Sequence, residues 1–220
     1  AAQHGILVDR VFHPFLGPGF LQEECIAACR KHPSHPVFEV VRDPAKKAAR
    51  LIAEGHAAGW LQGRAEAGAL PLGGRAILQS PTQRQCPLPA ALMGDEWSTA
   101  YAPVLSVAAP HTDRYTTDAN VNTFASAYVA LSPSAREWLP QALQIDGHAA
   151  LQRVEKGHSP RLFHLLDELE KISGHGLVLQ LPLQTPGEPR AISPADALDW
   201  FASSDAAHLI MEDVWIRKTK

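Results

Sequence analysis

Cys25-Ile26-Ala27-Ala28-Cys29-Arg30-Lys31-His32-Pro33-Ser34-His35 brings two thiols and two imidazoles close together along the chain. If Phe20 to Lys31 is helical, Cys25, Cys29 and His32 stand at i, i+4 and i+7 on one face, with His35 just beyond the helix end. Two thiolates and two imidazoles suit tetrahedral zinc. The same spacing is the core stripe of any amphipathic helix, and free cysteine is among the most buried residue types. Structural zinc sites also tend to pair one knuckle with a distant second pair of ligands. Core packing is therefore the reading adopted, and no metal or other cofactor is expected.

A second candidate lies in Pro110-His111-Thr112-Asp113-Arg114-Tyr115-Thr116-Thr117-Asp118-Ala119-Asn120. His111 and Asp113, with a distal His148, His158 or His164, are the residue types of a facial triad holding non-haem iron. That chemistry sits on strands of a β-helix. Here Asp118 to Leu131 instead shows Val121, Phe124, Ala125 and Tyr128 at helical spacing, so the stretch reads as a loop whose Thr117 or Asp118 caps a helix. Gly17-Pro18-Gly19-Phe20-Leu21-Gln22 sits where a dinucleotide fingerprint would, but Gln22 replaces the third glycine and Pro18 removes a backbone donor. It reads as a turn into a helix. The sequence contains no Gly-x-Ser-x-Gly elbow, no phosphate loop with its lysine and no His-Glu-x-x-His.

These residues must be positioned by elements whose punctuation is plain. Asp43-Pro44, Ser132-Pro133, Ser159-Pro160 and Ser193-Pro194 each place a capping oxygen before a proline at a first helical position. A long helix is expected from Pro44 to about Glu66, on Ala49, Ile52 and Trp60. Another is expected from Pro160 to Ile172, on Leu162, Leu165, Leu166 and Leu169, ended by Gly174. Strands are expected at Gly5–Phe12, Pro36–Arg42, Ala76–Gln79, Pro103–Ala108, Gly176–Leu183 and His208–Lys218. Glu212-Asp213 is anomalous within the last of these, because a strand should bury one of the two. The alternation predicts a single α/β domain over residues 1–220: a layered fold with a mixed sheet flanked by helices, and a helical layer or subdomain over about 118–172.

Of 220 residues, 45% are hydrophobic and 20% charged, with a formal net charge of −3, the balance of an ordinary soluble globular chain. No basic footprint exists for a phosphate backbone, so nucleic acid is not an expected partner. The longest uncharged stretch, Trp97 to Thr112, is broken by Pro103 and Pro110 and is too short for a membrane span. Three cysteines are too few and odd in number for a disulfide framework, which makes a reducing, cytoplasmic setting the default. Export stays open because the sequence starts at Ala1 without Met.

With no catalytic motif assembled, the residues point to a non-catalytic protein-binding domain of the adaptor or inhibitor/immunity-like kind. It would recognise a partner protein through surface loops, with Trp97 and Tyr101 as anchors in the irregular stretch between Pro81 and Pro103. The alternative is a metal-dependent enzyme or a zinc-stabilised domain, using Cys25, Cys29, His32 and His35 or His111 and Asp113. A homo-oligomer paired through an edge beside Pro182 or the terminal strand is the third class.

Overall fold

The computed structural model describes residues 14–81, 103–144, 146–185 and 187–218. The expected strand Gly5–Phe12 lies outside them, as do Trp97 and Tyr101. The elements run α1 (Gln22–Lys31), β1 (Val37–Val40), α2 (Pro44–Ala53), β2 (Ala58–Leu61), β3 (Arg75–Gln79) and β4 (Val104–Ala108). Then follow a 3-10 turn (Ala109–Arg114), β5 (Tyr128–Ala130), α3 (Pro133–Trp138), a second 3-10 turn (Pro140–Ala142) and β6 (His148–Val154). Last come α4 (Pro160–Ser173), β7 (Leu177–Pro182), α5 (Pro194–Ser203), β8 (His208–Met211) and β9 (Val214–Arg217).

All nine strands join one sheet in the order β1-β9-β8-β2-β3-β7-β4-β6-β5. The pairs β2–β8 and β4–β6 are parallel and the others antiparallel, so the sheet is mixed. Alternate residues divide its faces. Leu61, Ile77, Leu181 and Leu209 pack with α1 and α5, whereas Trp60, Leu78, Val178 and Ile210 pack with α2 and α4. The fold is therefore the layered α/β arrangement that alternation implies. Among the described residues no helix is long and apolar enough to cross a membrane.

Three expectations need correction. The long helix stops at Ala53: Gly55 takes φ +94°, and the next residues form β2, every residue of which is buried. Trp60 thus belongs to a central strand, where its indole donates to Gly73 O at 3.0 Å. Gly59 beside it is dictated by packing, since a Cβ there would lie 2.5 Å from the Trp200 ring. The stretch 118–131 is not helical. Asp118 Oδ1 accepts from Asn120 N at 2.9 Å and Asn122 Oδ1 from Phe124 N at 3.0 Å, local bonds that compete with a helix ladder. Together with the unexpected β6, which reads His-Ala-Ala-Leu-Gln-Arg-Val without an alternating pattern, this puts strands as well as helices within 118–172.

The terminal run is a hairpin, with Glu212 and Asp213 as its turn and Glu212 at φ +49°. That explains their anomaly. Neither Pro182 nor β9 lies at an edge: β7 sits between β3 and β4, and β9 between β1 and β8, leaving β1 and β5 outermost.

His208, at the start of β8, stacks edge-on against His56 with ring centroids 5.0 Å apart. Burial, reinforced by the nearby His56, Lys47 and Arg217 and opposed by Glu54, pulls its imidazole down to about 4 from the usual 6.5. The unfolded chain takes up this proton near pH 6.5 and the folded chain only near 4. Its contribution is therefore complete above pH 6.5 and is lost as pH falls towards 4. Urea unfolding is expected to show about 2–3 kcal/mol of stability lost across that window. In His208→Gln the slope between pH 6.5 and about 5, above the range where the carboxylates titrate, should flatten, and an unchanged slope there would refute the assignment.

Candidate functional site

The loop between β2 and β3 is organised around Arg75, a wholly buried guanidinium. Its Nε donates to Ile192 O at 3.0 Å, and Nη1 to the carbonyls of Gln62, Gly63 and Gly74 at 3.0–3.2 Å. Nη2 donates to Pro18 O at 3.0 Å and Gly63 O at 3.1 Å. Burial lowers the pKa of this group, while Glu66 and Glu212 oppose that shift. The stretch Gly17-Pro18-Gly19 is thus a wall of this site rather than a phosphate cradle. Gly17 N and Pro18 O pair with Ala65 at 2.9 Å, and a Cβ on Gly17 would meet Ala65 Cβ at 2.7 Å.

Glu66 lies in the same loop with its side chain fully buried. Oε1 accepts from Leu72 N at 2.9 Å and Arg75 N at 3.2 Å, but Oε2 has no hydrogen-bond partner. Gly74 permits this placement, since a Cβ there would stand 2.5 Å from Oε2. Arg190 Nη1 is 3.8 Å from Oε1, and Nη2 donates to Ala69 O. A cavity of about 450 Å³ is lined by Pro18, Glu66, Arg75, Gln184 and Arg190. A carboxylate oxygen lacking a donor, set near a guanidinium, suits a small planar group with an N–H beside a carbonyl. The carboxylate accepts the N–H and the cation faces the carbonyl oxygen.

The β8–β9 turn braces the loop from behind. Glu212 Oε1 accepts from Gly63 N at 2.6 Å, Glu212 O accepts from Gln62 Nε2 at 2.8 Å, and Arg161 of α4 lies 3.2 Å from Oε2. Burial pushes the Glu212 carboxyl up, with Arg161 acting against it.

The residues singled out by spacing are not assembled into a site. Cys25 and Cys29 are buried in the core beneath α1, and burial foremost pushes their thiols up to about 12 and about 11, where they stay protonated. His32 leaves them to bond Ser34 Oγ at 2.7 Å and Asp199 Oδ1 at 3.1 Å, and His35 is exposed. His111 faces Glu170 at 4.0 Å, whereas Asp113 is exposed on the 3-10 turn. Among the described residues one other group has metal-ligating types together, His164, Asp167 and Glu168; Lys171 bridges its two carboxylates at 2.7 Å and Asp43 takes the imidazole.

Spacing arguments missed Glu66, Arg75 and Arg190. The signal lay in Gly63-Arg64-Ala65-Glu66-Ala67-Gly68-Ala69-Leu70-Pro71-Leu72-Gly73-Gly74-Arg75, where four glycines alternate with charges between two apolar runs. Absorbing its start into a helix hid it.

Comparison with known proteins identifies the group. Residues 49–218 match the family described as "Carbamoyltransferase C-terminus", and the chain belongs to that family. It is 29% identical over 187 residues to the nodulation protein NolNO of Sinorhizobium fredii, covering 84% of this chain and 28% of that one. Over 239 residues it is 26% identical to the uncharacterized protein sll1178 of Synechocystis sp., covering 96% of this chain and 38% of the relative. The nodulation protein NolO of Bradyrhizobium diazoefficiens is 26% identical over 179 residues, covering 80% and 33%. The chain therefore spans about a third of the length of these curated relatives. Membership in a carbamoyltransferase family overturns the reading of a non-catalytic, adaptor-like protein-binding domain. That reading leaned on missing motifs, and a site built from loop carbonyls and one buried ion group leaves no compact motif to find.

Removing the Arg75 guanidinium would take a donor from five carbonyls, of which Pro18 O and Gly74 O keep the amides of Ala65 and Gln62, and would leave Glu66 and Glu212 with only Arg190 and Arg161 as nearby cations. Arg75→Met is expected to cost about 3–5 kcal/mol in chemical unfolding. A loss under about 1 kcal/mol would show that the loop carbonyls are satisfied some other way.

Proposed function

We propose that the chain is an α/β domain of a carbamoyl-transferring enzyme, and that the cavity bounded by Glu66, Arg75 and Arg190 takes the carbamoyl group. The observation that carries this reading is the unpartnered Glu66 Oε2, buried opposite a guanidinium in a chain of this family. A carbamoyl group offers N–H donors and a carbonyl oxygen on one plane, the complement of that pair. Oε2 accepts an N–H and fixes the plane. Arg190 faces the oxygen, where negative charge grows when a nucleophile adds to the carbon, and a cation placed there beforehand lowers the barrier. Arg75 is committed to carbonyls and acts as the positioning residue, holding Glu66 through its own backbone N–H.

Methyl carbamate, which carries the group without a reactive leaving atom, is the probe. In an amide NMR titration it should perturb Leu72, Gly74 and Arg75. Glu66→Gln, which keeps the shape but turns an acceptor into a donor, should weaken binding at least about tenfold. Its folding is checked by circular dichroism. An unchanged titration in folded Glu66→Gln would sink the assignment.

A further inference from the structure

Strands β7, β4 and β6 lie side by side, and they carry a polar cluster inside the core: Gln180, Ser106 and Gln152, none more than 2% exposed. Residues paired across a sheet share a face. Ser106 pairs with Val178 and with Gln152, and Gln180 pairs with Leu78, so the cluster lies on the face that α2 and α4 cover.

Gln152 Oε1 accepts from Ser106 Oγ at 2.8 Å and from Gln180 Nε2 at 2.7 Å, and Gln180 Nε2 also donates to Ser106 Oγ. Gln152 Nε2 donates to Leu72 O at 3.0 Å and to Thr123 O at 3.2 Å. Those two carbonyls can only accept, so the orientation of the Gln152 amide is fixed. As a means of stabilising a core the cluster is poor. Gln180 Oε1 is buried with no hydrogen-bond partner among the described residues, a cost that apolar side chains of the same shape would avoid. What the cluster supplies is direction: it aims the Gln152 donors at the β2–β3 loop from the face opposite Arg75, which pairs with Leu61 on the α1 and α5 side.

That direction reaches Glu66. The Leu72 carbonyl takes the Gln152 amide, while the Leu72 N–H donates to Glu66 Oε1 at 2.9 Å. Trp60, on the same face as Gln152, holds the next carbonyl, Gly73 O, at 3.0 Å. Gly73 itself sits at φ +106° against Leu162, where a Cβ would come within 2.6 Å of the side chain. Carbonyls 72 and 73 are drawn to one face of the sheet, and the Leu72 N–H serves the carboxylate on the other side. The second donor to Oε1, Arg75 N, belongs to β3 and is held by the strand. Leu72 lies in the loop and has no ladder to hold it. Were it to swing, Oε1 would lose a donor, and the carboxylate could turn Oε2 towards the same N–H.

We propose that Gln152, aimed by Ser106 and Gln180, is a positioning residue for Glu66: it fixes Leu72 so that the Leu72 N–H stays on Oε1 and Oε2 remains open to a ligand. The use of Oε2 rests on the carbamoyl reading, whereas the hold on Leu72 does not, and the two are measured separately.

Amide hydrogen exchange on the intact chain without ligand reads the hold, and titration with methyl carbamate reads its consequence. Gln152→Met keeps the length of the side chain and removes both donors. Protection of the Leu72 amide should fall about tenfold with that of Arg75 little changed, and methyl carbamate should bind about tenfold more weakly. Ser106→Ala leaves the Gln152 amide in place but removes one group that aims it. It should show smaller losses of both kinds, and it carries the test if Gln152→Met does not fold. Ile210→Val thins the core on the same face without touching the cluster; it should lower the melting temperature and leave both readouts unchanged. The proposal is overturned if Leu72 keeps its protection in the folded variants, if Ile210→Val loosens Leu72 equally, or if Leu72 loosens while methyl carbamate binds as before. Absence of binding to the wild-type chain would instead sink the carbamoyl reading, and Leu72 exchange alone would then uphold or overturn the hold of Gln152.

Discussion

A single buried cation, Arg75, sets the geometry on which the candidate site depends. Its donors feed carbonyls from residues 18, 62, 63, 74 and 192, so the entry to α1, the β2–β3 loop and the approach to α5 are fastened to one point. Neutral carbonyls would not by themselves offset the cost of stripping water from a guanidinium. Glu66 and Glu212 supply the opposing charge, and each is in turn bound to the backbone of the same loop. The planar fork of arginine suits this task because its donors are fixed in direction; a lysine could not reach carbonyls on so many sides.

Rigidity around Arg75 is what allows Glu66 to keep one oxygen without a donor. A mobile loop would relax until that oxygen met an N–H or water. Here Leu72, Gly74 and Arg75 surround the carboxylate from one side, and the bare Cα of Gly74 lets it approach the backbone. Site geometry of this type is held by packing and carbonyl bonds behind the reacting groups, the arrangement that preorganised sites require.

Much of the frame was legible in the residues, and most of the site was not. Three of the four Pro-marked helix starts behave as their side chains dictate, and the α4 stripe of Leu162, Leu165, Leu166 and Leu169 lies against the sheet as its period implies. The layered mixed sheet followed from alternation alone. Strand β2 was obscured because Ala58, Gly59 and Trp60 continue a helical rhythm by coincidence, and burial on both faces removes the period of two that would have marked a strand. Strand β6 lacked β-branched residues at most positions. Glu66 and Arg190 are far apart in the chain and meet through folding, which no spacing rule detects. Ser159 is a different case: the rule that it should cap was sound, and its failure here is a local departure from an otherwise consistent design.

The place of β7 in the sheet has a consequence for how the chain matures. Strands β3 and β4 are neighbours in sequence order, yet they touch only through β7, which forms the seam between two half-sheets. Strand β2 likewise waits for β8 on its other side. A chain still emerging from the ribosome, made only as far as α4, would hold two strand groups with open apolar edges and no centre. Closure then requires contacts of long sequence separation, which are slow to form and leave strand edges open to other chains meanwhile. Fusions or truncations that delay or remove residues 177–217 should therefore fail by aggregation during synthesis, even where every helix and turn made earlier is intact.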